Sequence, residues 1–209
     1  MPENHNLQDR PDNLSVTDAK QRLEEGNRRY CADRLNHPRR DTERREAIAD
    51  GQAPFATVLT CSDSRVPPEL IFDKGLGDLF VVRVAGNIVG NAVLGSIEFA
   101  SLHLGVNLTV VMGHASCGAV KATVANVDVS GPATHSHVDT LIEAIRPAVR
   151  NARASGDDDL AERSSQENAR ITAEQIRRSE PVMAGLCRHG VEILAAYYDL
   201  ESGEVRWLE

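Results

Sequence analysis

Short apolar runs alternate along the chain with stretches patterned as helices. Phe55-Ala56-Thr57-Val58-Leu59-Thr60, Leu79-Phe80-Val81-Val82-Arg83-Val84 and Leu108-Thr109-Val110-Val111-Met112 are short and rich in β-branched residues. They predict strands over 55–60, 79–84 and 108–112, the first and last of them buried. Elsewhere the apolar positions predict helices from Ser15 to about Asp33, from Pro38 to near Gly51, and from Pro67-Pro68. Further helices are expected over 91–104, from near Cys117, over about 137–154 and 158–179, and from Pro181 to His189-Gly190.

The first of these helices has a capping-box start at Ser15-Val16-Thr17-Asp18 but only a thin stripe of Val16, Ala19, Leu23 and Tyr30. A stripe that thin calls for another surface to lie on, such as a second subunit. Helix 91–104 is apolar on most sides (Val93, Leu94, Ile97, Phe99, Leu102) and is expected to be buried, with another chain as one way of covering it.

Strand, crossover helix and strand in succession predict an α/β fold with a central, mostly parallel β-sheet flanked by helices and right-handed connections. The tail, Val191 to Tyr198, a turn at Glu201-Ser202-Gly203, then Val205 to Leu208, reads as a C-terminal antiparallel edge strand or hairpin. Residues 1–13, polar and carrying Pro2 and Pro11, read as a flexible N-terminal arm, and 14–209 as a single domain.

Composition narrows the classes. No apolar stretch reaches the roughly 18–20 residues that cross a bilayer, so no membrane span is expected. The start, Met1-Pro2-Glu3-Asn4-His5-Asn6, lacks a signal-peptide pattern, and the cytoplasm is the default address. A net charge of −8 gives a nucleic-acid partner no electrostatic support. Arg39-Arg40 and Arg44-Arg45 are interleaved with Asp41, Glu43 and Glu46, as on a solvated helix face. Four cysteines in a cytosolic chain point to metal or catalysis before disulfides, and Cys31 and Cys187 have no partner at metal-like spacing.

The chemistry collects in two runs, Cys61-Ser62-Asp63-Ser64-Arg65 and Gly113-His114-Ala115-Ser116-Cys117-Gly118, each directly after a strand. Reacting groups in open α/β sheets gather beyond the carboxyl ends of strands, so neighbouring parallel strands would bring Cys61, His114 and Cys117 to one crevice. Two thiolates and an imidazole suit zinc and leave its fourth position for solvent. A helix beginning at Cys117 would favour a thiolate there. Zinc would make hydroxide available by lowering the pKa of water from about 16 towards about 7. Asp63 can accept that hydroxide's hydrogen bond, and Arg65 can fix Asp63 and keep it ionised.

These runs resemble the β-class carbonic anhydrases, and the similarity spans about residues 45–209. It includes Gln52-Ala53-Pro54-Phe55, Cys61 to Glu69, Gly77 to Arg83, Ala85-Gly86-Asn87, Gly113 to Val120 and Tyr197-Tyr198-Asp199-Leu200. The resemblance implies reversible hydration of carbon dioxide to bicarbonate and a proton by zinc-bound hydroxide, with one Zn(2+) per chain. It implies a homo-oligomer, a dimer or dimer of dimers, with active sites near the dimer interface. It maps the zinc ligands onto Cys61, His114 and Cys117 and a catalytic pair onto Asp63 and Arg65. By position it puts Gln52 (from across the interface), Phe80 and Phe99 in the carbon dioxide pocket, with the Gly118 backbone N–H as a donor to a substrate oxygen.

Some members carry an inhibitory bicarbonate site that needs a tryptophan where this chain has Val58, although Arg83 and Tyr198 are present. That difference, with Gln52, implies the plant-like subtype. Val84 stands where many relatives have asparagine and receives no role. His135 and His137 are proton-carrier candidates, a solvent-facing loop pair being the plainer reading. Two other functions fit the same residues: hydrolysis of carbon disulfide or carbonyl sulfide, separable by sulfide release, and a catalytically silent zinc-binding scaffold or sensor. A structural zinc would want a fourth protein ligand, which no nearby Cys or His supplies. The Cys61–Arg65 spacing is too short for a phosphate-cradling Cys-x5-Arg loop.

Overall fold

A computed structural model describes residues 10, 12–129, 131–132, 134–156 and 159–209. Most of the expected arm, residues 1–9 and 11, therefore lies outside the described residues. Arg10 donates to the carbonyls of Ser101 and Val106, and Asn13 to those of Pro54 and Leu104.

Among the described residues five strands form one sheet: β1 (Ala56–Thr60), β2 (Leu79–Arg83), β3 (Leu108–His114), β4 (Glu192–Tyr198) and β5 (Val205–Leu208), in the order β2-β1-β3-β4-β5. All neighbours are parallel except β4 and β5, which form the antiparallel C-terminal edge. Every residue of β1 and β3 is buried, as continuous apolar runs covered on both faces require. β3 runs two residues beyond the expected end at Met112, because β4 pairs with it as far as His114 opposite Tyr198.

Eight helices accompany the sheet among the described residues: α1 (Val16–Cys31), α2 (Thr42–Ala47), α3 (Pro68–Ile71), α4 (Asn91–His103), α5 (Gly118–Ala125), α6 (Val138–Ala154), α7 (Leu160–Arg177) and α8 (Val182–Arg188). Ser15 caps α1 by accepting the Asp18 N–H at 3.1 Å. Alternating strand residues feed two cores. Val58, Val110, Met112 and Ala196 pack with Ala19 and Leu23 of α1 and Ile145 and Val149 of α6; Leu59, Val111 and Ile193 pack with Ala169 and Ile176 of α7 and Met183 of α8.

The α1 stripe thus finds a surface inside its own chain. It does so because Gly26 admits the Phe72 carbonyl to a place where a Cβ would sit 1.7 Å away. α2 buries nothing. α4, expected to be buried on most sides, buries only Ile97, Ala100 and Ser101, and its Phe99 is 46% exposed. Val93, Leu94 and Leu102 are only partly buried against the second core, and β2, to which Phe99 packs, is the sheet edge. No helix among the described residues is long and apolar enough to cross a membrane.

Candidate metal centre

The sheet order creates the crevice. From β1 the chain passes to β2 on one side and then to β3 on the other, so the ends of β1 and β3 lie side by side where the direction of winding reverses. Thr60 pairs with Met112, which sets Cys61, the next residue, beside the end of β3 that carries His114. Cys117 follows three residues later as the N-cap of α5.

All three side chains are buried, and their candidate ligand atoms lie within 4.8 Å of one another. The two sulfurs are 4.0 Å apart. Tetrahedral zinc with Zn–S bonds of about 2.3 Å would hold two sulfurs about 3.8 Å apart, so little movement is needed. His114 Nδ1 lies 2.8 Å from the Ala115 carbonyl, which can only accept, so Nδ1 carries the proton and Nε2 a free lone pair. Nε2 is buried with no hydrogen-bond partner among the described residues. A buried acceptor left unsatisfied is costly, and a cation between it and the sulfurs would remove that cost.

The sulfurs are electrostatically unequal. The hydrogen bond with Cys117 pushes the Cys61 thiol well below its ordinary range against the opposing effect of burial, with help from the Gly86 N–H, 3.3 Å from Cys61 Sγ. Cys117 is raised by the same sulfur–sulfur bond and by burial, although the Ala119 and Val120 N–H groups at the start of α5 favour its thiolate. A divalent metal binding both sulfurs would displace the protons they carry.

Asp63 and Arg65 form a two-point pair beside the cluster. Arg65 Nε and Nη2 donate to Asp63 Oδ1 and Oδ2 at 2.9 and 2.7 Å, and the Arg65 N–H donates to Oδ1 at 3.0 Å. The Arg65 hydrogen bonds hold the Asp63 carboxyl far below the usual carboxylate range. Arg65 Nη2 also reaches the Ser116 carbonyl at 3.4 Å, tying the loop after β1 to the loop after β3.

The pocket residues are arranged differently. Phe80 and Phe99 lie together, ring centroids 6.3 Å apart, and Phe99 stacks on His103 at 5.0 Å. Phe80 pairs with Thr57, four residues before Cys61 and so about 13 Å back along the strand. Gln52 is exposed before the start of β1. Phe80 and Phe99 thus lie towards the other end of β1 from Cys61 rather than at this chain's own cluster. Gly118 is the first residue of α5, beside Cys117. Val58 is buried in the core, Tyr198 OH lies 3.2 Å from Tyr30 OH, and His135 and His137 are exposed.

Sequence reasoning passed over the residues that brace the cluster. Ser165 on α7 accepts the His114 N–H at 3.2 Å and donates to the His114 carbonyl at 2.9 Å. Asn168 Nδ2 donates to the Gly86 carbonyl at 2.8 Å, steadying the 3₁₀ turn Ala85–Asn87 whose N–H meets Cys61. The available signal was the stripe of small and polar residues, Ser165, Asn168, Ala169, Thr172 and Ala173, all buried on one face of α7.

Comparison with known proteins points the same way. A family profile described as carbonic anhydrase matches residues 56–205. A carbonic anhydrase of Mycolicibacterium smegmatis is 41% identical over 183 residues, covering 88% of each chain. Carbonic anhydrase 2 of Mycobacterium tuberculosis is 38% identical over 191 residues, covering 91% of this chain and 92% of its own. Among solved structures, a tetrameric β-carbonic anhydrase from Sordaria macrospora superposes with a TM-score of 0.68 at 26% identity, over 78% of this chain and 84% of the other.

Proposed function

The chain belongs to the β-class carbonic anhydrases, and from that premise we propose that it interconverts carbon dioxide and bicarbonate at a zinc ion held by Cys61, His114 and Cys117. The observation that carries this reading is the unpartnered, buried Nε2 of His114 grouped with two sulfurs 4.0 Å apart. When bound, zinc supplies the Lewis acidity that makes a hydroxide nucleophile available near neutral pH. His114 contributes the Nε2 lone pair because the Ala115 carbonyl holds the proton on Nδ1.

Asp63 acts on the nucleophile. Held ionised by Arg65, its carboxylate accepts the nucleophile's O–H and turns a lone pair towards the carbon of carbon dioxide. The Gly118 N–H, at the start of α5 where backbone donors lack intrahelical partners, is offered to a substrate oxygen. Gln52, Phe80 and Phe99 serve the pocket of a neighbouring subunit, which fits their distance from this chain's Cys61 and the exposure of Phe99. The assembly is a homodimer or a dimer of dimers, in line with the fungal relative described as tetrameric. Val58 in the core supports the plant-like subtype, and four free cysteines support a cytoplasmic address.

Stopped-flow hydration of carbon dioxide, with zinc measured on the same sample, tests the reading. Asp63→Ala is expected to keep its zinc and to lose roughly 100-fold or more in turnover. Unaltered turnover refutes the role of Asp63, and a zinc-loaded wild-type chain without hydration activity refutes the reading as a whole.

A further inference from the structure

Arg83 is the last residue of β2 and pairs with Thr60, the last residue of β1, so the two strands end level with each other. Its side chain reaches over the loop that follows β1. Nε donates to the Cys61 carbonyl at 3.0 Å and Nη2 to the Asp63 carbonyl at 2.6 Å. One rigid guanidinium plane therefore grips two carbonyls that flank Ser62 and fixes the peptide units between the first sulfur and the carboxylate.

A row of such bonds crosses the site. Arg83 holds the backbone of Cys61 and Asp63, Arg65 holds the Asp63 carboxylate, and Arg65 in turn reaches Ser116 in the loop carrying Cys117. Cys61 has further anchors, a sulfur bond from Gly86 and the end of β1 behind it. Asp63 has fewer. Its carbonyl accepts the Val66 N–H and the Arg83 donor, and it lies beyond the sheet ladder. Loss of the Arg83 grip would thus fall mainly on Asp63.

We infer that Arg83 is a positioning residue for the hydration reaction: by clamping the Cys61 and Asp63 carbonyls it sets where the Asp63 carboxylate is presented. The inference rests on the function proposed above. Arg83 itself touches neither the sulfurs nor the Asp63 carboxylate among the hydrogen bonds of the described residues.

A double-mutant cycle on the full-length, zinc-loaded protein tests it, using Arg83→Met, Arg83→Lys, Asp63→Ala and the double variant Arg83→Met/Asp63→Ala. Arg83→Met is expected to retain zinc and keep KM for carbon dioxide within about twofold, while kcat falls by about 10- to 100-fold, as displacements near 1 Å do. Arg83→Lys, able to reach one carbonyl, should recover part of that loss. In the Asp63→Ala background, Arg83→Met should have almost no further effect on kcat.

Three outcomes overturn the inference: an Arg83→Met enzyme with wild-type kcat, a loss explained by missing zinc, or losses that multiply independently in the double variant. Failure of the functional reading is distinguishable, because then the zinc-loaded wild type itself would not hydrate carbon dioxide.

Discussion

Gly113 gives the most direct link between packing and the metal cluster. It lies in β3 immediately before His114, and a Cβ built there would stand 2.7 Å from the Ser165 carbonyl oxygen, 3.1 Å from Ser165 Oγ and 3.5 Å from Ala169 Cβ. The nearest obstacle is helix backbone, which has no rotamer to change, so Gly113→Ala must push α7 away from β3 by several tenths of an ångström. Forcing an extra carbon into a packed site costs about 1–3 kcal/mol. Strain on the Ser165–His114 hydrogen bonds adds about 1 kcal/mol, and the stiffer unfolded chain returns about 0.4–1 kcal/mol.

The net destabilisation is about 2 kcal/mol, a fall in Tm of roughly 4–8 °C for a chain of this size. Because α7 also orients His114 through Ser165, zinc affinity should fall by about 10-fold or more in a chelator competition. Ser165→Ala is the control, since it removes the hydroxyl without inserting an atom and should reproduce only the smaller part of the loss. Thermal melts and zinc competition on wild type, Gly113→Ala and Ser165→Ala decide the matter. A Gly113→Ala protein that melts no lower than wild type and binds zinc equally well would refute the argument.

Two other expectations concern single groups. Cys61→Ser replaces a thiolate with a hydroxyl that stays protonated at neutral pH, so zinc after dialysis should drop well below one per chain; full occupancy by metal analysis would remove Cys61 from the ligand set. Asp73 is a pH prediction. Its buried carboxylate accepts from Arg29 Nε at 2.7 Å and from the Asn36 and His37 N–H groups at 3.0 and 3.1 Å. Burial works to raise this carboxyl, but the hydrogen bonds outweigh it and its pKa lies below the ordinary value. The unfolded chain takes up this proton near pH 4 and the folded chain only at lower pH, so the stabilisation is complete above about pH 4 and is lost as pH falls through the folded pKa. Asp73→Asn should therefore cost about 2–3 kcal/mol in urea titrations at neutral pH, Arg29 being partly solvated. The gap from wild type should narrow by about pH 3, and a constant gap would show that the charge is not what stabilises.

Much of the architecture was readable residue by residue. The β-branched runs at 55–60 and 108–112 are continuous in apolar character and read as buried strands; the Ser15 cap and the Pro67-Pro68 start mark helix ends through bonds that span only three or four residues. The two loops that carry Cys61, His114 and Cys117 follow from where those strands stop. A stretch of chain states such things because propensity, capping and amphipathic period act between near neighbours.

Folding decided what depends on distant elements meeting. The hydroxyl of Ser165 meets His114 across 51 residues, Asn168 meets Gly86 across 82, and Arg83 meets the Asp63 carbonyl across 20. Nothing local distinguishes Ser165 from its neighbour Ser164, or Arg83 from any charged strand end. The extension of β3 to His114 likewise needed Tyr198 of β4 opposite it. The apolar faces of α1 and α4 were equally legible, yet only the sheet order allotted one a surface within the chain and left the other largely open. Periodicity says that a face must be covered, and what covers it is settled by which strands become neighbours.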